Sequence, residues 1–209
     1  MLFSSLKGDT PLPHAAVCII GAGAAGITLA SELDGCGFPV LLLDAGGLKL
    51  DLAASNAVYR GDTSGRHPDP TEFRRTGFGG TTRIWGGRCV PLDPIDFERR
   101  DHVPHSGWPI TYEDVAQHYP RALEYCDAGG FDFAVDDAIE RAQPTIPGLK
   151  PGGALMHDRI ERYSLPTDFG KRYRARLEQS KNVTVALGLR CLRLLRRDDG
   201  NIESVEVVD

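Results

Sequence analysis

Gly21, Gly23, Gly26 and Asp44 are the residues whose types and spacing could do chemistry. The glycines stand in the run Gly21-Ala22-Gly23-Ala24-Ala25-Gly26, and the acid follows about 20 residues on. Gly21 allows a sharp turn off a strand, Gly23 removes a side chain where a backbone must approach a pyrophosphate, and Gly26 allows a helix to pack closely on that strand. Uncapped amides and the positive dipole end at the start of the helix suit phosphate oxygens. A carboxylate at the end of the next strand suits ribose hydroxyls and opposes a 2′-phosphate. The fingerprint Gly21 to Gly26, with Asp44 and the following Ala45, therefore predicts a dinucleotide site, and by itself leaves NAD and FAD both open.

The elements that must position these residues are legible on either side. Residues 15–20 form a continuous apolar run, as expected of a parallel strand covered on both faces, and residues 24–33 carry small and apolar side chains at helical spacing. Gly35-Cys36-Gly37 stops the helix, and residues 38–43 predict a second buried strand, parallel to the first in a right-handed β-α-β unit. Residues 1–13, with two prolines, are expected as a loose lead-in.

With 209 residues and a net charge of −5, the chain has no basic excess for nucleic acid or an anionic membrane. No apolar stretch reaches spanning length and the N-terminus lacks the form of a signal peptide, so the expectation is a cytoplasmic chain without a transmembrane segment. Five cysteines, Cys18, Cys36, Cys89, Cys126 and Cys191, are scattered without metal-type spacing. They are expected to be reduced and mostly buried, and no metal site is expected.

A second glycine-rich segment, Arg74-Arg75-Thr76-Gly77-Phe78-Gly79-Gly80-Thr81-Thr82-Arg83-Ile84-Trp85-Gly86-Gly87-Arg88, combines glycines with large aromatic residues. Such a segment suits a backbone pressed against something flat or anionic. The opening Gly-Ala-Gly-Ala-Ala-Gly, Leu43-Asp44-Ala45-Gly46-Gly47, Gly79-Gly80-Thr81-Thr82 and Trp85-Gly86-Gly87 together resemble the glucose–methanol–choline (GMC) family of FAD-dependent oxidoreductases, and are similar to its sugar- and polyol-oxidising branch. The resemblance implies FAD as cofactor, with Gly79, Gly80, Thr81, Thr82, Trp85, Gly86 and Gly87 on the flavin side. Members with covalent flavin have a histidine where this chain has Ile84, so the FAD is expected to be non-covalent. Asp44 stands where the family more often has glutamate.

Gly107-Trp108-Pro109-Ile110-Thr111-Tyr112-Glu113-Asp114 is also similar to that family, and Thr111 with Asp114 predicts an N-cap. A helix is expected over 112–127, kinked or split by Pro120. His102, His105 and His118 are not read as catalytic, since by resemblance the family's catalytic histidine lies far downstream; His67 is expected to be exposed, and no catalytic residue is assigned. Residues 129–151 read as a surface loop, and 171–179 as a helix whose Lys171, Arg172, Arg174 and Arg176 form a solvated face. Strands are expected over 183–187, 191–197 and 202–208, with a turn at 198–201. By resemblance, a backbone contact to adenine falls near Cys191.

The expected fold class is α/β: a Rossmann-like, three-layer FAD/NAD(P)-binding fold with a parallel sheet and an antiparallel β-meander, incomplete at the C-terminus. Residues 1–209 form a partial FAD-binding domain: 14–47 the fingerprint, 74–127 the flavin-contacting segment and helix, 128–170 a loop-rich insertion, 171–209 the helix, third strand and start of the meander. By resemblance, the substrate and catalytic domain is expected to be absent. The implied function is the FAD-binding portion of an oxidoreductase acting on CH–OH donors, with an alcohol or sugar as substrate and a complementary chain as a partner supplying the C-terminal half; the piece by itself is expected to be inactive. Two alternatives stand beside it, an inactive nucleotide-binding or partner-binding fragment and a flavin-dependent mutase.

Overall fold

The computed structural model describes residues 2–4, 12–65, 67–138 and 159–209. The apolar run before the glycine turn forms β2 (Val17–Ile20), the turn leads into α1 (Ala24–Glu32), and the second apolar run forms β3 (Val40–Asp44). The two strands are parallel, with Val17 opposite Val40 and Ile20 opposite Leu43. On the other side of β3 lies β6 (Val183–Leu187), also parallel, and β6 in turn pairs in parallel with β1 (Leu2–Ser4). The order β1-β6-β3-β2 gives an α/β architecture built on a parallel sheet.

All five residues of β3 are buried, because the strand has a partner on each edge. Each fully buried valine or leucine here contributes about 1.5–3 kcal/mol of apolar burial, so β3 and β6 anchor the sheet. Helix α1 buries Gly26, Ile27, Ala30 and Ser31. A Cβ on Gly26 would overlap the Gly21 carbonyl oxygen and stand 3.3 Å from Leu42 Cδ1, which is the close helix-to-strand packing that its spacing predicts.

Three expectations change. Residues 2–4 of the lead-in form a strand, because the open edge of β6 supplies backbone partners that three residues cannot announce locally. Strand β2 is not covered on both faces among the described residues: Cys18 and Ile20, which share one face, are exposed. The cysteines are free, as expected, but not mostly buried: Cys18 and Cys36 are exposed and Cys89, Cys126 and Cys191 are half-buried.

The turn from α1 to β3 uses positive φ at Gly35 and Gly37 and is closed by a residue far along the chain. Asn182 accepts from Gly35 N at 2.8 Å and donates to Leu33 O at 2.9 Å and Phe38 O at 3.0 Å. After β3 come α2 (Leu52–Tyr59), capped by Asp51, and α3 (Pro70–Phe73), capped by Asp69. The helix expected over 171–179 starts earlier and is divided at Tyr173, into α8 (Phe169–Arg172) and α9 (Arg174–Gln179). Its basic residues are partly engaged, Arg176 donating to Ser31 O of α1 at 2.6 Å and Arg174 to Glu178 at 2.7 Å. β7 (Arg190–Arg196) and β8 (Ile202–Val208) form the expected antiparallel ribbon, and Val205 and Val207 pack on Leu41, Leu43, Ala186 and Leu189.

The chain divides into two compact units, Met1–Trp85 with Thr167–Asp209, and Gly86–Pro166. The second unit pairs β4 (Arg88–Cys89) antiparallel to β5 (Arg162–Tyr163) and carries α4 (Pro94–Phe97), α5 (Tyr112–Ala116), α6 (Tyr119–Cys126) and α7 (Val135–Ala138). The split between α5 and α6 is the one Pro120 predicts, since proline is tolerated only in the first turn of a helix. Thr111 Oγ1 accepts from Asp114 N at 3.3 Å and Asp114 Oδ2 accepts from Thr111 N at 2.8 Å, the reciprocal cap its sequence predicts. Of the loop read at 129–151, residues 139–151 lie outside the described residues, and 135–138 form α7. Among the described residues, no helix is long and apolar enough to cross a membrane.

Candidate functional site

The site is built at the C-terminal ends of two adjacent parallel strands, where open α/β sheets bind ligands. The chain leaves β2 through Gly21, at φ 104°, whose amide donates to Leu43 O at 2.7 Å. Gly23 then caps α1 without any side chain, and the first turn holds no acid, so the amides of Ala24, Ala25 and Gly26 meet no competing carboxylate there. A Cβ placed on Gly23 would meet nothing within 4 Å. That open space and the uncapped amides fit an anionic group such as a pyrophosphate.

Asp44, at the end of β3, is 8% exposed and already heavily engaged. Its Oδ2 accepts from Ala22 N at 2.7 Å, and its Oδ1 from Gly46 N at 2.8 Å and Gly77 N at 2.6 Å. A carboxylate offers about four acceptor positions, so most of this one is spent on holding three turns together. By that count one acceptor position is left over. Ala45 is half-buried beside it. The β6 to β7 junction lies against the same loop, Gly188 N donating to Gly46 O at 3.1 Å and Leu189 N to Asp44 O at 2.9 Å. Cys191, two residues on, is opposite Val207 in the ribbon.

The second glycine segment joins the fingerprint directly. Gly79 N donates to Ala22 O at 2.8 Å, and a Cβ on Gly80 would come within 2.8 Å of Gly23 Cα. Several of its residues have clear work within the protein. Gly79, at φ 106°, faces Gly170 N, which a Cβ would approach to 2.8 Å. Thr82 Oγ1 donates to Gly79 O at 2.6 Å and accepts from Phe169 N at 3.1 Å. Thr81 Oγ1 accepts from Arg75 N at 3.2 Å, and Trp85 Nε1 donates to Thr167 O at 3.0 Å. Gly86 and Gly87 fall in the second unit, where a Cβ on Gly87 would stand 2.8 Å from Ser164 O.

Thus Gly21 to Gly26, Asp44, Ala45 and Gly79 to Thr82 come together in the first unit. A residue with no local sequence signal belongs with them: Ser55 Oγ, fully buried, accepts from Thr76 N at 3.1 Å and fixes the start of the second segment. Arg83 is a second, its Nε donating to Phe78 O at 3.0 Å and its Nη2 to Leu48 O. The Ser55 to Thr76 and Arg83 to Leu48 contacts join residues 21 and 35 apart. A cleft of about 310 Å³ borders this segment, lined by Phe78, Arg83, Asp168 and Lys171 among others. His14, His67, His102, His105 and His118 are all exposed.

No protein-family model matches the sequence, and no curated protein matches it.

Proposed function

We propose that the chain is the FAD-binding portion of a GMC-type oxidoreductase, with a Rossmann-like fold, that oxidises a CH–OH group of a carbohydrate or polyol. The observation that carries this reading is the uncapped start of α1 behind an open Gly23, with the second glycine segment packed on it through Gly80. In this proposal the amides of Ala24, Ala25 and Gly26 hold the pyrophosphate. The remaining acceptor position of Asp44 and the backbone of Ala45 hold the ribose. Residues 188–191 border the adenine, and Gly79 to Thr82 with Trp85 serve the flavin side. Bound FAD supplies the hydride acceptor. Ile84, 43% exposed and apolar, offers no atom for a covalent flavin link, so the cofactor is read as non-covalent.

The base that takes the hydroxyl proton is assigned to a C-terminal portion or a complementary chain, as the resemblance implies. A non-catalytic nucleotide-binding or partner-binding role is the second reading. It is favoured by the outer side of β2, where Cys18 and the 50% exposed Ile20 leave an apolar strand uncovered among the described residues.

The test is a titration of the 209-residue chain with FAD, followed by quenching of flavin fluorescence, beside the variant Gly23→Val. Saturable quenching is expected for the wild type and loss of it for the variant, whose added Cβ enters space with no other atom within 4 Å. Wild-type protein that stays colourless after FAD and gel filtration contradicts the cofactor. A variant that keeps flavin contradicts the site.

A further inference from the structure

The second unit contains a cleft that the cofactor reading does not use. It measures about 540 Å³, within the range of small-molecule pockets, and is walled by Tyr112, Phe131 and Phe133 on its aromatic side. Its polar side carries Asp93, Arg159 and Glu161. The walls are tied to one another: Ile160 N donates to Phe133 O at 2.9 Å, and Ala134 and Arg159 form an antiparallel bridge.

The aromatic side is fixed by ring contacts rather than left to rotate. Phe131 stacks on Tyr119 at 5.4 Å with 7° between planes and meets Phe133 edge-on at 5.4 Å. Tyr112 is held between Phe97 at 6.0 Å and Tyr119 at 6.4 Å. The polar side is held by ion pairs. Asp93 pairs with Arg159, and its amide donates to Asp96 Oδ2 at 2.9 Å at the start of α4. Glu161 accepts from Arg88 Nε at 2.6 Å and from Tyr163 OH at 3.4 Å. The Arg88 guanidinium holds the Glu161 carboxyl below the usual carboxylate range, so it is ionised near neutral pH.

The charge pattern selects the ligand. Asp93 and Glu161 are acceptors only and Arg159 is a donor only, yet each carboxylate already has its counter-charge. An added anion meets two carboxylates, and an added cation meets Arg159. A neutral ligand whose hydroxyls each donate and accept satisfies the spare lone pairs and N–H groups without unbalancing the pairs. Aromatic side chains lining the same cleft offer apolar surface to the C–H groups of a ring. The geometry points to a binding subsite for a neutral polyhydroxylated ligand, a pyranose sugar, in the cleft between the aromatic row Tyr112, Phe131, Phe133 and the Asp93 and Arg159 pair. The choice of sugar among neutral polyols rests on the oxidoreductase reading above, whereas the cleft and its charge balance do not.

Saturation-transfer NMR on the 209-residue chain without FAD tests it, with D-glucose as probe, succinate as the anionic competitor, and the variants Asp93→Asn and Phe133→Leu. Asp93 is half exposed, and leucine keeps most of the apolar volume of Phe133, so both variants are expected to fold, as near-UV circular dichroism checks. The expected result is saturable glucose binding that succinate does not displace and that each variant weakens about tenfold, the factor for one lost charge-assisted hydrogen bond or ring contact. No saturable binding by the wild type, binding unchanged in both variants, or displacement by succinate overturns the subsite. Glucose binding lost with FAD binding intact overturns this inference alone. FAD binding lost with glucose binding intact overturns the proposed function and leaves the subsite standing.

Discussion

Replacing Asp44 by asparagine separates a residue that ties the fold together from one that serves only a ribose. The wild-type carboxylate accepts three backbone amides, at 2.7, 2.8 and 2.6 Å, from turns that are otherwise far apart in the chain. In the variant, the single amide oxygen is best placed at the Oδ1 position, where it keeps Gly46 and Gly77. Those two bonds change from charged to neutral acceptors at a loss of about 1 kcal/mol each. The side-chain NH2 then faces Ala22 N–H, donor against donor, and leaves a buried amide without an acceptor at about 1–3 kcal/mol. The total is a destabilisation of about 3–5 kcal/mol, a large share of the stability of an ordinary domain. Urea unfolding at neutral pH measures it as a fall in midpoint with the slope unchanged. A loss of under about 1 kcal/mol, together with weakened FAD binding, refutes the tie and returns Asp44 to a ribose contact alone.

Gly26→Ala drives a Cβ onto the Gly21 carbonyl oxygen, so α1 must separate from β2 at a cost of about 3 kcal/mol or more; a urea midpoint within error of wild type contradicts this packing. The Cys126 thiol is pushed up to about 11, by burial first and then by the neighbouring Cys89. Its folded value lies above the ordinary 9.0, so its contribution to stability is complete below pH 9 and is lost as pH rises through about 11. Its alkylation by iodoacetamide, followed by peptide mass spectrometry, should rise about tenfold per pH unit between pH 7 and 10, and a plateau near pH 8 contradicts the shift.

Much of the fold is local and therefore legible in the sequence. The β2-α1-β3 unit follows from two apolar runs separated by glycines, the α5 to α6 split from Pro120, the cap from Thr111 and Asp114, and the terminal ribbon from a turn at Asp198-Asp199-Gly200-Asn201. Each signal sits within a few residues of the structure it specifies, because glycine, proline and capping side chains act on their own backbone. The purpose of Gly26 could be read for the same reason: its spacing from Gly21 fixes what a side chain would strike.

The tertiary structure decided which of these residues are free to meet a ligand. Sequence gives Asp44 as an acid at the end of a strand, but only the folded chain brings Gly77, 33 residues away, to its carboxylate. Likewise Gly79 and Gly87 look like cofactor glycines in sequence, yet each also faces protein backbone, Gly170 and Ser164, that no local pattern announces. The three-residue β1, the exposed outer side of β2 and the ring-lined cleft of the second unit depend on partners distant in the chain. The sequence by itself determined the glycine turn between β2 and α1, because that turn is made by consecutive residues acting on one another. What stands opposite it was decided by chain closure over tens of residues, where the burial of β3 and β6, not spacing, sets which backbones meet.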